Sequence, residues 1–599
     1  MSKAIAEQKG PSPLPSRPER PAWRTHALAG AITLLGLALA VRMAAQSDAV
    51  YQDDDACHYN IARDAWTSPQ ARWTWWARPG YNMPAAVVAH FFGFFGCRIF
   101  SAVQTAAAAY LSYLIARRVL ADVKGGEKFA VLAPALVWVQ PLTTTLAITT
   151  LTETPALLYL TLATWLFLSD RRVLGCLAAS LCFITRYETM ALVPIFMLAA
   201  AVEFAHGAGW KVLPTLKTWR LWACAGALAF FPLLYMGVAW LEHVRLRDSF
   251  LFPLYGKMTG QYGSGPWGIF MFNWIFASGP AVLALAGAGA LLFLRRGWLP
   301  TALCLALVGV HSYMYHEGLG DTGGYPRFLV PLSGLTAAMA ACGLAGMVRL
   351  RAWGYGPVLA ICILGFALHD VQTHDGKLLS ECCDLFAWRA DRPPPGMDAG
   401  RLNAGILVGT AVLGAAAVVV AATRKDRAMR SAAVFCSAIL LVLAAAYAFC
   451  SLQPLRLDSP DAAAAPLRWN SPLKLDSDFY ADLARAARYV GRSPYSRSRA
   501  VTCHVIFPML TDSPCVVMPA ADALPHWVSS PPGTLFYRDA KWCPAGAADM
   551  EPNQPGDILW RHGRWLFGTD DGWVSVFVRT ADQDVQPAAV LQPIPIGGG

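Results

Sequence analysis

Long apolar blocks alternate with short polar loops along most of this chain. Within a block the apolar residues are continuous and do not alternate one by one with polar ones. Blocks of about 17–25 residues can cross about 30 Å of hydrocarbon as helix. Only a helix or a closed barrel satisfies its backbone in lipid, and continuous apolarity selects the helix. The blocks fall at 26–46, 98–118, 129–147, 152–169, 173–185, 188–205, 219–241, 269–294, 298–315, 327–348, 354–370, 402–422 and 432–452, which predicts about thirteen membrane-spanning helices. An aromatic-rich stretch, Tyr81 to Gly96, predicts a helix lying in or dipping into the interface. After residue 452 the pattern changes and no spanning block remains. Asp476 to Val490 has helical periodicity, and Ala500–Val505 and Cys515–Met518 read as short strands. Asp557–Arg579 reads as a hairpin around Thr569-Asp570-Asp571-Gly572. The fold class is therefore an all-α polytopic membrane protein with a small C-terminal α/β domain. Its parts are a cytoplasmic disordered tail (1–25), a transmembrane domain (26–452) whose first outer loop is 47–97, and an extracytoplasmic domain (453–599).

Composition agrees with this pattern: 55% of residues are hydrophobic and only 15% charged, against about 25% charged in an average soluble domain. The net charge of +10 does not indicate nucleic acid, because Lys and Arg are scattered through short loops and build no single basic face. The N-terminus is polar, Pro-rich and basic like a signal-peptide n-region. No small-residue cleavage site follows, so the first helix reads as retained. With the N-terminus inside, the cytoplasmic loops hold Arg117–Arg118–Lys124–Lys128, Arg171–Arg172, Lys211–Lys217–Arg220, Arg295–Arg296, Arg349–Arg351 and Arg424–Lys425–Arg427–Arg430. An odd number of spans then puts 453–599 outside. The fifteen cysteines include no CxxC and no zinc-like spacing. Cys224, Cys304 and Cys436 lie inside apolar blocks as small hydrophobes. Cys503, Cys515 and Cys543 lie on the oxidising side, where one disulfide can form whose pairing the spacing does not give.

Several charged residues oppose the basic-inside rule. The first outer loop opens with Asp53-Asp54-Asp55, followed by Arg72 and Arg78. Thr185-Arg186-Tyr187-Glu188 falls between two blocks, and His316-Glu317, Asp321 and Gly323-Gly324-Tyr325-Pro326-Arg327-Phe328 precede another. All face the same outer side in this topology. Three adjacent carboxylates repel, so one has a raised pKa or a cation partner. Such a group serves as a general base or holds a divalent metal through hard oxygens. Carboxylates plus arginines at one membrane face suit an anionic ligand that lives in the membrane, and charges at that depth are functional candidates. Each feature also has a plainer reading. The Asp run fits a solvated loop or helix cap, and Glu153 fits a cap for a helix beginning at Pro155. Glu188 fits a structural partner of Arg186, and His316 a satisfied interfacial histidine. Trp73, Trp75 and Trp76 fit interface anchors.

Taken in order, these segments resemble the GT-C superfamily of membrane glycosyltransferases, especially its PMT/ArnT-like branch (glycosyltransferase family 39 and relatives). That branch has an acidic pair in the first outer loop followed by an aromatic and Ile-Ala-Arg. Asp54-Asp55-Ala56-Cys57-His58-Tyr59-Asn60-Ile61-Ala62-Arg63 matches, with Asp in place of the second acid. Arg78-Pro79 matches the basic residue before Pro, Thr185-Arg186 the Thr-Arg pair between helices, and Arg327-Phe328-Leu329-Val330-Pro331 the Arg-aromatic-Leu-x-Pro helix start. The likeness covers residues 26 to about 350. It implies a multi-pass protein of the bacterial inner membrane that moves a sugar from a polyprenyl-phosphate-linked donor to a glycan, lipid or protein acceptor at the outer face, with inversion. It further implies that Arg78, Arg186 and Arg327, with Arg72 behind them, hold the donor phosphate, and that Asp54 acts on the acceptor hydroxyl. Asp53 and Asp55 assist or bind a divalent metal, no other cofactor being implied; Glu188, His316 and Tyr59 are further substrate contacts. Two other readings compete. A transporter or flippase of lipid-linked or small anionic solutes also needs intramembrane charge, but often shows two similar halves, and the Asp53–Arg63 region has no second copy. An anchor for an active outer domain is the other, and 453–599 holds no nucleophile elbow, HExxH or Gly-rich phosphate loop.

Overall fold

A computed structural model of the chain describes residues 23–47, 50–51, 53–66, 72–73, 77–244, 264–319, 324–349, 477–517, 520–539, 558–569 and 574–581. Six helices in it are long and apolar enough to cross a membrane: Trp23–Ala45, Pro79–Val119, Tyr187–Gly207, Trp219–Leu241, Leu294–His316 and Pro326–Arg349. Glu153–Leu168, Arg172–Thr185 and Ala281–Leu292 are apolar but shorter. The chain is an integral membrane protein. The predicted tail up to Ala22 and the predicted spans 354–370, 402–422 and 432–452 lie outside the described residues.

In chain order the membrane part comprises α1 (Trp23–Ala45), α2 (Asp53–Asp64), α3 (Pro79–Val119), α4 (Glu127–Ala130), α5 (Ala133–Trp138), α6 (Pro141–Leu146), α7 (Glu153–Leu168), α8 (Arg172–Thr185), α9 (Val193–Gly207), α10 (Val212–Lys217), α11 (Trp219–Leu241), α12 (Ile269–Ser278), α13 (Pro280–Leu292), α14 (Leu294–His316) and α15 (Ser333–Arg349). Short 3-10 turns, Tyr187–Leu192 and Pro326–Leu332, lead into α9 and α15.

Three predicted spans differ from this. The block 129–147 is three short helices and not one span. Pro141 lacks the N–H that a continuous helix needs and forces Gln140 into an extended conformation (φ −79°, ψ 118°). The block 269–294 breaks at Gly279, whose φ of 81° a side-chain-bearing residue rarely adopts, with Pro280 starting the next helix. The expected interfacial helix and the span after it are joined in α3 and bend at Gly93 (φ 62°, ψ −159°).

The helix α15 lies at the centre of the bundle, buried along its spanning window. It crosses α13 through glycines. A Cβ at Gly289 would run into the Met339 carbonyl oxygen, and one at Gly343 into that of Leu285. Small residues at such crossings let membrane helices approach by backbone.

The C-terminal unit is α/β. A five-stranded sheet has the order β2-β1-β3-β5-β4, from β1 (Ala500–Thr502), β2 (Cys515–Val517), β3 (Leu535–Asp539), β4 (Gly563–Gly568) and β5 (Val574–Arg579). β1 pairs in parallel with β2 and β3; β5 pairs antiparallel with β3 and β4. The expected helix is α16 (Ser477–Arg492), and the expected hairpin is β4–β5, preceded by a helical turn, Ile558–His562. β3 and the helices α17 (Ile506–Thr511) and α18 (Ala520–Val528) were not anticipated. Trp527 is buried against Val501, Phe536 and Phe577 and donates its indole N–H to the Thr534 carbonyl at 2.9 Å. Cys503 is disulfide-bonded.

This unit sits on α2. The Tyr59 hydroxyl donates to Asp512 Oδ1 at 2.8 Å, the Asn60 amide to the Val505 carbonyl at 2.8 Å, and Arg63 Nη1 to the Pro508 carbonyl at 3.0 Å.

Candidate active site

Three helix starts converge beside the N-terminal end of α2. Tyr325 is extended because Pro326 follows it, and Pro326 starts the turn that presents Arg327. Arg186 sits in an extended link (φ −144°, ψ 108°) between α8 and the turn that carries Glu188. Glu153 opens α7, where the helix dipole favours an anion. Asp54 lies in the first turn of α2.

Their side chains form one connected charge network. Arg327 Nη2 donates to Asp54 Oδ2. Arg327 Nε lies 3.6 Å from Glu153 Oε1, and Arg186 Nη1 lies 2.7 Å from that same oxygen. Arg186 Nε donates to Glu188 Oε1, which is 4.0 Å from His311 Nε2. Arg186, Glu153, Glu188 and Arg327 are all buried, none above 7% exposed. Aromatic rings wall the group. The Arg186 guanidinium lies 4.4 Å from the Phe328 ring centre, and His311 is stacked between Phe270 and Phe328 at 5.1 and 5.5 Å. Arg78 lies over the Tyr187 ring at 5.6 Å, and its charge acts on both Asp54 and His58.

Electrostatics separates the neighbouring carboxylates. Burial alone would raise the Asp54 carboxyl, but the Arg327 guanidinium outweighs it and holds Asp54 below the usual carboxylate range. Burial pushes Asp55 up, against Arg98 and the hydrogen bonds it accepts. Those bonds occupy both its oxygens: Thr150 N donates to Oδ1 at 2.6 Å, joined by the Thr150 hydroxyl, and Tyr51 N donates to Oδ2 at 3.0 Å. Burial and then Arg78 push the His58 imidazole down to about 3, so it is neutral at physiological pH.

The structure thus brings together Asp54, Arg78, Arg186, Arg327 and Glu188. It places the other candidates elsewhere. Asp55 ties α2 to the loop before α7, accepting hydrogen bonds at both its oxygens. Of Asp53 only the backbone, opening α2, is described. Among the described residues no three His, Cys, Asp or Glu converge as a metal site. Arg72 donates to the Ala65 carbonyl at 2.8 Å and lies 4.0 Å from Glu242, outside the network. Tyr59 bonds to the C-terminal unit. His316 is exposed and contacts the Gly265 carbonyl at 3.1 Å, beside Trp267. Glu153, which the sequence suggested as a cap, bridges two arginines, and Thr152 has no side-chain cap bond. Glu153 and His311 were absent from the expected site. The signal for both was a titratable residue in or at the edge of an apolar block, where charge is expensive.

No family model matches the chain, and no curated protein does. Solved structures do. The crystal structure of ArnT from Cupriavidus metallidurans bound to undecaprenyl phosphate matches with a TM-score of 0.57 at 14% identity, over 94% of this chain and 99% of that one. Its apo form matches with a TM-score of 0.53 at 14% identity over the same shares. Arabinosyltransferase EmbB from Mycobacterium smegmatis aligns at 12% identity over 75% of this chain and 42% of that one, with a TM-score of 0.41. Near-complete mutual coverage with ArnT establishes the architecture: the chain has an ArnT-like fold.

Proposed function

We propose that the chain is a glycosyltransferase that moves a sugar from a polyprenyl-phosphate-linked donor to a hydroxyl on a glycan, lipid or protein acceptor at the outer face of the membrane. One observation carries this reading: a carboxylate held in its ionised form touches a buried arginine that still has donors to give. Asp54 pairs with Arg327 Nη2, while Arg327 Nε and Nη1 are buried and make no hydrogen bond. Buried polar groups are rarely left unbonded, and guanidinium N–H groups match phosphate oxygens.

In this scheme Arg327, with Arg186 and Arg78, holds the donor phosphate. Asp54 takes the proton from the acceptor hydroxyl as its oxygen attacks the anomeric carbon. The bond from that carbon to the phosphate oxygen breaks, the configuration inverts, and lipid phosphate leaves. Asp55 and Thr150 fix the height of α2, so that Asp54 faces the arginines. The fold is that of ArnT, a protein whose crystal structure holds undecaprenyl phosphate, which supports a lipid phosphate as the donor's anchor. The Cys503 disulfide supports an oxidising compartment for the C-terminal unit, hence the outer side for Asp54 as well.

The test is donor-lipid binding and single-turnover transfer with radiolabelled polyprenyl-phosphate sugars. Asp54→Asn keeps size and loses the base, so the rate falls about 10²–10⁴-fold while donor binding survives. Arg327→Ala removes a charge-assisted bond worth about 1.5–3 kcal/mol, so donor affinity falls roughly 10–150-fold. Transfer at the wild-type rate by Asp54→Asn would sink the assignment. Transport of the lipid-linked solute without sugar transfer would favour the flippase reading.

A further inference from the structure

The network contains a carboxylate that the reaction does not use. Glu153 is 1% exposed and shares one oxygen between Arg186 and Arg327, while its Oε2 is buried and makes no hydrogen bond. An arginine pair built only to grip phosphate gains nothing from a carboxylate between its members. We propose that Glu153 is a specificity-determining residue that sets the charge the site accepts: it lets the arginines hold a singly charged phosphodiester and disfavours the doubly charged phosphomonoester. The proposal rests on the donor-phosphate reading of the site given above.

The charges support it. Arg78, Arg186 and Arg327 face Asp54, Glu153 and Glu188, so the resident charge is zero when His58 is neutral. A lipid-linked sugar donor is a phosphodiester and adds one negative charge. In the transfer the acceptor proton goes to Asp54, and the C–O electron pair goes to the phosphate, which becomes a monoester of about −1.5 to −2. The site's total does not change at that moment, because Asp54 is neutralised as the phosphate gains charge. Once Asp54 returns its proton to water, the total becomes one unit more negative than with the donor bound. Two anions, Asp54 and Glu153, then sit against the product, and neither can move away, because the Arg186 and Arg327 contacts hold Glu153 in place. Glu153 thereby favours departure of the spent lipid over its retention.

Direct binding of two short lipids to the purified full chain tests this. Farnesyl phosphate is the monoester, and farnesyl methyl phosphate is the matching diester with one charge fewer. Glu153→Gln keeps the shape and removes the charge. One unit of charge near a partly screened site predicts that the monoester-to-diester affinity ratio rises about tenfold in Glu153→Gln. Glu153→Asp, which keeps the charge, retains the wild-type ratio even if both affinities drop, and so separates charge from packing. In turnover, Glu153→Gln becomes more sensitive to inhibition by added farnesyl phosphate. An unchanged ratio in Glu153→Gln overturns the proposal. Failure of the wild type to bind either lipid instead overturns the donor reading on which it rests.

Discussion

The two ends of α2 make opposite use of charge. At its start, Asp54 enters a network whose other members are shut off from water by protein and aromatic rings. Further along, Tyr59 and Arg63 meet Asp512, whose side chain is 70% exposed. The same residue types meet in both places, yet only the first has the low dielectric that makes pairing strong and its loss costly. Strength there comes from having no alternative partner: a guanidinium buried beside Phe328 has no water to fall back on. At the seam with the C-terminal unit water reaches Asp512, so it competes for the Tyr59 and Arg63 contacts to that carboxylate, although Tyr59 and Asn60 are themselves buried.

The largest expected effect tests the buried end. Arg186→Ala leaves Glu153 and Glu188 without their shared cation, and breaking a buried pair from one side costs about 3–5 kcal/mol. Thermal unfolding in detergent should show a strongly destabilised protein. A change below 1 kcal/mol would mean that water reaches the network and that the contrast between the two ends is false.

A second effect, smaller per pH unit, is pH-dependent. His58 is neutral in the fold, with its pKa pushed down to about 3 by burial and then Arg78. The unfolded chain therefore takes up a proton from pH 6.5 downward that the fold refuses, and stability falls with pH between about 6.5 and 3 by up to about 1.4 kcal/mol per unit. Asp54 runs alongside at lower pH: its folded pKa lies below 3.8, so its contribution is full above that and is lost as pH falls through the folded value. Stability curves for the wild type and His58→Gln should converge toward acid, with a flatter slope for the variant above pH 4. Parallel curves would show His58 titrating normally.

The smallest effect belongs to the seam. Asp512→Ala removes an exposed partner and should cost about 0.2–1 kcal/mol, shrinking further in high salt. Its transfer rate should change only a few-fold. A loss as large as that from Arg186→Ala would show that the C-terminal unit locks α2.

How much of this could be read in advance follows the same division. Asp54, Arg186 and Arg327 were legible because each stood within a motif at a block boundary expected to face outward, and a cation there violates the usual bias. The helix α16 and the β4–β5 hairpin were legible from local periodicity. Glu153 was not, because a carboxylate before Pro155 looks the same whether it caps a helix or bridges two arginines 33 and 174 positions away. Long-range pairing leaves no trace in local spacing. Tyr59 and Arg63 were read as part of an acidic-loop motif, yet they serve the contact with the C-terminal unit, a contact across more than 440 positions. The three pieces of 129–147 were missed because hydropathy counts Pro141 as one more tolerated residue, although it ends a helix by removing a donor.

The glycine crossing of α13 and α15 acts as a ruler for the site. Arg327 stands on the turn that runs directly into α15, so its depth in the bilayer is the depth of α15. That depth is not set by lipid thickness, since α15 has no lipid-facing surface along its spanning window. It is set by backbone seated on backbone at Gly289 and Gly343. Sliding α15 by one helical turn would carry Arg327 about 5.4 Å, out of reach of Asp54 and Glu153 together. The chain can therefore move between membranes of different thickness with its charge network at constant height, and a methyl group added at either glycine would change that height from more than a helix turn away.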